Sequence, residues 1–328
     1  MDWLGLDIGG ANLKAACGTS ARQAPFQLWR HPDKLSEAVA GLLAAFPKST
    51  GLALTMTGEL CDCFATKAEG VRRILDAVEL AGAGRPLRVW TTEGRFITAN
   101  AARRKPLLAA AANWLALATF VGQLAPRGSA LVIDLGSTTA DIIPLLDGTP
   151  TPIGWTDPDR LASSELVYTG VKRTPLCALF GLAKATELFA TTEDVYVTLG
   201  ELPERPKADD TADGRPMTKR LARIRLARME CDDARWSEGR ARMLAAEARN
   251  IQVAALAERV RRVASRLPGT IERVVLAGAG EFLIPDVLEH AGLDVAVESL
   301  KELLGPTLSI CACACAVSRI ACRGGELP

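Results

Sequence analysis

The chain has 328 residues, 48% of them hydrophobic, which is enough for two domains of ordinary size. Its 39 basic and 38 acidic residues leave a formal charge of +1, so there is no electrostatic case for nucleic acid or an anionic membrane as partner. The opening MDWLGLDIGG has no positive n-region and soon meets Gly5 and Asp7. No signal peptide is expected, and the nine cysteines are expected to stay reduced in a cytoplasm.

In chain order, a strand is expected over 2–8, a turn at Gly9-Gly10 and a second strand from Leu13 to Cys17. LSEAVAGLLAAF (35–46) has helical spacing, and GLALTM (51–56) reads as a buried strand ending at Thr57-Gly58. Residues 67–81 read as a helix, 87–91 as a strand and 98–124 as one or two helices. Within the last lies the longest apolar run, PLLAAAANWLALATFVGQLAP. Asn113, Trp114, Thr119 and Gln123 interrupt it and prolines bound it, which favours a buried helix over a membrane span.

A second series opens with ALVID (130–134), turns at Gly136 and continues through DIIPLL to an Asp147-Gly148 hairpin turn. Residues 161–190 read as irregular structure and helix. The charged stretch from about 200 to 242 predicts a polar loop leading into a basic helix. Its Arg and Lys residues form either a solvated face or a binding flap over an anionic ligand. A long amphipathic helix over 241–266, Pro268-Gly269, the strand RVVLA (273–277), the turn GAGEF and a helix near Pro285 follow. SICACACAVSRIAC reads as a helix in which Cys311, Cys315 and Cys322 share a face and Cys313 points elsewhere. Such spacing suits small core fillers rather than zinc ligands, and His31 and His290 lie near no Cys pair.

Two short runs carry the chemistry. DIGGAN and DLGSTT each place an Asp at a strand end, just before a Gly-rich turn whose backbone N–H groups can bind phosphate oxygens. The Asp can hold Mg²⁺ directly or through water, and Ser137, Thr138 and Thr139 add hydroxyl donors. One such hairpin is equally well a tight turn with a capping Asp. Two of them, followed by the GAGE turn, form a pattern.

The order Asp-x-Gly-Gly, Asp-x-Gly-Ser-Thr-Thr and a Gly-rich turn before a helix resembles the acetate and sugar kinase/Hsc70/actin superfamily. That resemblance implies an α/β protein of the actin-like ATPase fold. Two ribonuclease H-like domains, 1–125 and 126–328, would flank a central phosphate-binding cleft, the second carrying a polar insertion near 200–242. The runs GLDIGGANLKAA, MTGELCDCFATKAEGV, ANWLALATFV, VIDLGSTTADIIPL and TDPDRLASSELVYTGVKRTPL resemble, more closely, the hydantoinase/oxoprolinase-like proteins linked to tetrahydromethanopterin one-carbon metabolism. The resemblance runs from residue 4 to about 320 and is weakest across 200–215.

This closer resemblance implies a transferase of methylofuran biosynthesis. A phenol of the glutamyltyramine or tyrosine type would attack the furanylmethyl carbon of an aminomethylfuran-methanol diphosphate, and diphosphate would leave. Asp7 and Asp134 would then coordinate Mg²⁺ or another divalent cation. Gly9, Gly10, Asn12, Gly136, Ser137, Thr138 and Thr139 would bind the diphosphate, with Lys14 beside them as a point charge or else as a strand-edge surface lysine. Glu59 and Asp62 follow a strand end, where a carboxylate either faces the cleft or is simply exposed. Asp141 shares the face of Thr139 by period two and is a candidate base or a structural partner of the turn.

Arg173 would clamp a phosphate or carboxylate, or form a structural ion pair. Asp157, Arg160, Tyr168 and Thr174 lie in the same polar segment, while Asn113 and Trp114 either pack at a helix terminus or stack on an aromatic substrate. Gly278 and Gly280 occupy the position of the glycine turn in adenosine-binding relatives. They are the basis of an alternative: an ATP-dependent small-molecule kinase or ring-opening hydrolase. A nucleotide-switched assembly protein of the actin or Hsc70 kind is disfavoured, because the chain lacks the extra length. The expected partners are therefore small molecules, with no nucleic acid and no membrane.

Overall fold

The first sheet grows around β1 (Trp3–Ile8), buried along its whole length as a central strand covered on both faces must be. In this computed structural model, which describes residues 2–233 and 235–324, β2 (Asn12–Cys17) returns antiparallel to β1 and β3 (Ser20–Pro25) forms the edge. β4 (Gly51–Met56) pairs parallel on the other side of β1, followed by β5 (Leu87–Trp90) and β6 (Phe96–Thr98). The order is β3-β2-β1-β4-β5-β6. Along this part of the chain run α1 (Leu35–Leu43), α2 (Lys67–Gly82), α3 (Ala99–Arg104) and α4 (Asn113–Gly122).

The second sheet has the order β10-β8-β7-β11-β12, with β9 pairing on β8. Its strands are β7 (Ser129–Leu135), β8 (Ala140–Leu146), β9 (Thr149–Pro150), β10 (Leu166–Val167), β11 (Ile271–Ala277) and β12 (Ala296–Ser299). The turn into β9 has Asp147 and Gly148 both at positive φ, 48° and 75°, as a tight hairpin requires. Among these strands come α5 (Asp157–Ser163), α6 (Leu176–Phe180), α7 (Thr192–Leu199), α8 (Lys219–Arg228), α9 (Glu238–Ala264) and α10 (Ile284–Ala291). Then α11 (Leu300–Leu304), α12 (Pro306–Ile310) and α13 (Ala312–Cys322) follow.

A cut between residues 125 and 126 separates the two sheets, but the compact units are assembled from non-contiguous segments. One takes the chain up to Val132, Ile143–Arg160 and the chain from Glu298 onward; the other takes Ile133–Ile142 and Leu161–Val297. The strands expected over 2–8, 13–17, 51–56 and 273–277 fall on β1, β2, β4 and β11, and the helices expected over 35–46 and 67–81 fall on α1 and α2.

In the first unit Leu4, Leu6 and Ile8 pack with Leu52, Leu54 and Met56 and with Val71, Ile74 and Val78 of α2. The alternate face of β1 carries Gly5 and Asp7. Here α13 approaches so closely that a Cβ on Gly5 would come within 2.8 Å of the Ala314 carbonyl carbon. The Ser318 hydroxyl also donates to the Trp3 carbonyl at 2.7 Å.

Cys311 and Cys315 pack together with Ala16 of β2, whereas Cys313 points instead to α4, where the Asn113 amide lies 3.8 Å from its Sγ, and Cys322 is exposed at the end of α13. The basic helix α8 is not simply a solvated face. Arg225 is fully buried, with Nε 2.7 Å from Asp194 and a terminal nitrogen 2.9 Å from Asp213. No helix among the described residues is long and apolar enough to cross a membrane.

Candidate active site

Three strands bring the first polar group together. Asp7 on β1 stands in register with Lys14 on β2 and Thr55 on β4, and partners across a sheet share a face. Lys14 lies on an interior strand, between β1 and β3, and not at the sheet edge. Asp7 is buried, with Oδ1 lacking a hydrogen-bond partner, and the Thr55 hydroxyl is likewise unpartnered. Burial pushes the Asp7 carboxyl up from its ordinary value, and Lys14 opposes that rise.

The Gly9-Gly10 turn just beyond is held from both sides. Gly9 N–H donates to the Asn12 carbonyl at 3.0 Å, and Leu28 N–H to the Gly10 carbonyl at 2.9 Å. Thr57 N–H donates to the Ile8 carbonyl at 3.0 Å. A Cβ on Gly10 would meet Cys61 Sγ at 2.8 Å. An orphaned carboxylate oxygen beside a hydroxyl is a hard donor set of the kind Mg²⁺ takes, usually with one or two carboxylates and substrate phosphates completing the shell. Among the described residues no three His, Cys, Asp or Glu side chains form a ready cage. The residues present therefore fit a cation completed by substrate.

The second group forms where β4 ends. Thr57-Gly58-Glu59-Leu60 leave the strand in one tight turn. A Cβ on Gly58 would lie 2.8 Å from Leu28 Cδ2, and one on Gly70 of α2 would lie 2.7 Å from Glu59 Cα. The Glu59 backbone is thus wedged against α2. Its side chain is 1% exposed, and neither carboxylate oxygen accepts a well-formed hydrogen bond.

Burial pushes the Glu59 pKa up to about 7. Its own amide, Lys67 and the Ala111 amide favour the ionised form, while Asp157 disfavours it. Lys67, at the start of α2, donates to Asp157 Oδ2 at 2.6 Å. One turn along α5, buried Arg160 lies 4.0 Å over the Trp114 ring. Trp155 stands 6.3 Å from Trp114 and is 46% exposed. A Cβ on Gly154 would meet Arg160 N at 2.5 Å, so the bend placing Trp155 beside α5 needs glycine.

The second hairpin is held within the other unit. Gly136 N–H donates to the Thr139 carbonyl at 2.9 Å, closing the turn. The segment 170–174 wraps it: Val171 N–H donates to the Gly136 carbonyl, and Lys172 and Arg173 N–H donate to the Ser137 carbonyl. Thr174 is an internal brace, its hydroxyl accepting from Gly170 N–H at 2.9 Å. Gln252 of α9 donates to the Thr169 hydroxyl and the Gly170 carbonyl at 2.8 and 3.0 Å and accepts from the Tyr196 hydroxyl.

Gly278, at φ 92°, would with a Cβ come within 2.6 Å of the Leu135 carbonyl carbon; Gly280 N–H donates to the Leu135 carbonyl at 2.8 Å. Close approach to the end of β7 thus accounts for the two glycines of GAGEF. Asp134 and Asp141 are half-buried, and Asp141 pairs in register with Leu166.

Within the first unit the structure brings together Asp7, Gly9, Gly10, Asn12 and Lys14, and groups Glu59 with Asp157, Arg160 and Trp114. Within the second it gathers Gly136, Ser137, Thr138, Thr139, Arg173, Gly278 and Gly280 around the end of β7. Asp62 and Tyr168 are exposed. Lys67 and Trp155 escaped the sequence reading. Lys67 follows the N-cap Thr66 and looks like an ordinary first-turn lysine; Trp155 is a lone aromatic in a polar segment.

The fold is similar to that of a ROK family glucokinase from Streptomyces griseus solved with glucose and AMPPNP. Identity is 12% and the TM-score 0.55, covering 99% of this chain and 100% of that one. An acetone carboxylase structure gives a TM-score of 0.57 at 12% identity, over 97% of this chain and 70% of that one. The chain thus has the actin-like ATPase fold, mixed α/β with two sheets. The hydantoinase/oxoprolinase family model matches residues 51–323, and the chain belongs to that family.

Over 331 residues the chain is 32% identical to the (4-{4-[2-(γ-L-glutamylamino)ethyl]phenoxymethyl}furan-2-yl)methanamine synthase of Methanocaldococcus jannaschii, covering 97% of this chain and 96% of that protein. The synthase of the same name from Methanococcus vannielii is 31% identical over 204 residues, 59% of this chain and 90% of that protein.

Proposed function

We propose that the chain is an enzyme of methylofuran biosynthesis that joins a phenol to a furanylmethyl diphosphate as an ether. The product described by the relatives' name is a phenoxymethylfuran, and the similarity to the first of them spans nearly the whole chain. In the reaction the phenolic oxygen attacks the furanylmethyl carbon. The carbon–oxygen bond to diphosphate breaks, and its electron pair departs with diphosphate. The phenolic proton needs an acceptor.

The observation that carries the reading is Glu59, a buried carboxylate without a well-formed hydrogen bond, whose proton affinity burial raises to near neutrality. A base so tuned takes a proton at the pH of a cell and returns it afterwards. In the first unit the Gly9-Gly10 turn with Asn12 and Lys14 is assigned to phosphate oxygens, with Asp7 to a divalent cation; in the second, the Gly136–Thr139 turn is assigned to phosphate oxygens in its own right, with Asp134 beside it. When bound, such a cation neutralises charge on the leaving group. The backbone N–H groups of the turns hold diphosphate oxygens in place. Because the substrate carries its own leaving group, no nucleotide is consumed.

The test follows the oxygen. With ¹⁸O-labelled phenol, alkyl transfer puts the label in the ether and leaves released diphosphate unlabelled. Formation of a labelled phenyl phosphate would contradict the reading and indicate phosphoryl transfer.

A further inference from the structure

Near the end of β4, two buried polar groups of opposite kind are incompletely satisfied. Neither Glu59 oxygen accepts a well-formed hydrogen bond, its own amide and that of Ala111 being the donors beside it, and Trp114 Nε1 is an unpaired donor, on side chains only 1% and 2% exposed. Leaving a buried polar group unsatisfied costs about 1–3 kcal/mol, so such a pair calls for a ligand that comes and goes. The surrounding structure joins them. The Ala111 amide bears on the Glu59 carboxylate, and α4 starts at Asn113 with Trp114 in its first turn. Lys67 and Asp157, paired at 2.6 Å, both act on Glu59, and the helix that Asp157 opens carries Arg160 onto Trp114.

A hydroxyl donates one hydrogen bond and accepts others, so a single hydroxyl satisfies a carboxylate and an indole N–H together. A water would do as much, but the neighbourhood also offers an aromatic surface. Arg160 occupies a face of Trp114, whereas Trp155 beside it is half exposed. An exposed indole next to a buried one gives an aromatic ring a place to lie.

We propose that Glu59, Trp114 and Trp155 form the subsite of the phenolic acceptor. The ring lies against Trp155, and the hydroxyl donates to Glu59 while accepting from Trp114 Nε1. The Lys67–Asp157 pair and Arg160 hold the walls. The subsite rests on the ether-forming reading and gives it a residue-level acceptor specificity. As the phenolic oxygen forms its bond to the furanylmethyl carbon, the proton passes to Glu59 and diphosphate leaves with the electron pair of the broken bond.

Calorimetric titration of the full chain with tyramine, and with phenethylamine, which lacks only the hydroxyl, tests the subsite. The wild type is expected to prefer tyramine about tenfold, the worth of one good hydrogen bond. Trp155→Ala, at a half-exposed position that does not threaten folding, should weaken tyramine binding by roughly tenfold. Trp114→Phe should reduce the preference for the hydroxyl, leaving the part that Glu59 supplies. Equal affinity of the wild type for both amines, as a site filled only by water would give, overturns the proposal, as does unchanged tyramine binding by Trp155→Ala. The preference together with no ether formation would support the subsite and remove the reaction; ether formation by Trp155→Ala with unchanged KM for the phenol would do the reverse.

Discussion

Gly70 of α2 lies against the backbone of Glu59, so close that a Cβ would stand 2.7 Å from Glu59 Cα. Elsewhere in a helix, Gly→Ala stabilises by about 1 kcal/mol. Here the added methyl meets backbone that cannot swing aside, and overpacking of that kind costs about 1–3 kcal/mol. Gly70→Ala is therefore expected to destabilise the protein in urea unfolding. It should also lower kcat by roughly ten- to a hundredfold, because it displaces the base. A more stable and fully active variant would show that Glu59 tolerates movement.

Glu59 itself makes a prediction about stability and pH. Its proton affinity rises from an ordinary 4.5 to about 7 on folding, with burial as the main cause. Between those values the folded state binds more protons than the unfolded chain, so stability falls as pH rises from about 4.5 to about 7 and then levels. The full penalty is on the order of 3 kcal/mol. Glu59→Gln should thus be more stable than wild type at pH 8, equal to it at pH 4, and nearly inactive at both. Denaturation midpoints of the two proteins across that range check the sign.

The Lys67–Asp157 pair should set the alkaline-rising limb of kcat/KM. Lys67 favours ionised Glu59 and Asp157 opposes it. Lys67→Met is expected to move the limb to higher pH, and Asp157→Asn to lower pH. Shifts in the same direction would show that the limb belongs to another group.

Much of this arrangement was readable from sequence, and what escaped has physical causes. WLGLDI and GLALTM are unbroken apolar runs with turns at their ends, so β1 and β4 were evident. SARQAP, β3, is an edge strand with mostly exposed side chains, and no apolar alternation marks it. α7 fell between the stretches that carried a clear pattern, although Thr191 and Asp194 form a capping box at its start. Glu59 was legible as a strand-end carboxylate; its burial was not, since Gly70 and Ala111, which close around it, come from other parts of the chain. The burial of Arg225 was not legible because its partners, Asp194 and Asp213, sit on α7 and in an irregular loop.

In the second unit, a Cβ on Gly170 would come within 2.6 Å of the Ser137 carbonyl oxygen. Gly170→Ala should push the Gly136–Thr139 turn out of place and weaken Mg²⁺-diphosphate binding by about tenfold or more, at a stability cost of roughly 1–3 kcal/mol. Calorimetric titration with diphosphate checks it. Undiminished affinity would remove that turn from the phosphate assignment.

The central claim is that a phenol and a furanylmethyl diphosphate are joined without nucleotide. The most direct measurement incubates purified protein with both substrates and Mg²⁺ alone, quantifying ether by mass spectrometry and diphosphate by enzymatic assay. One diphosphate released per ether, with no ATP present, is the predicted result. Ether that appears only when ATP is added, with ADP formed in step, would contradict it.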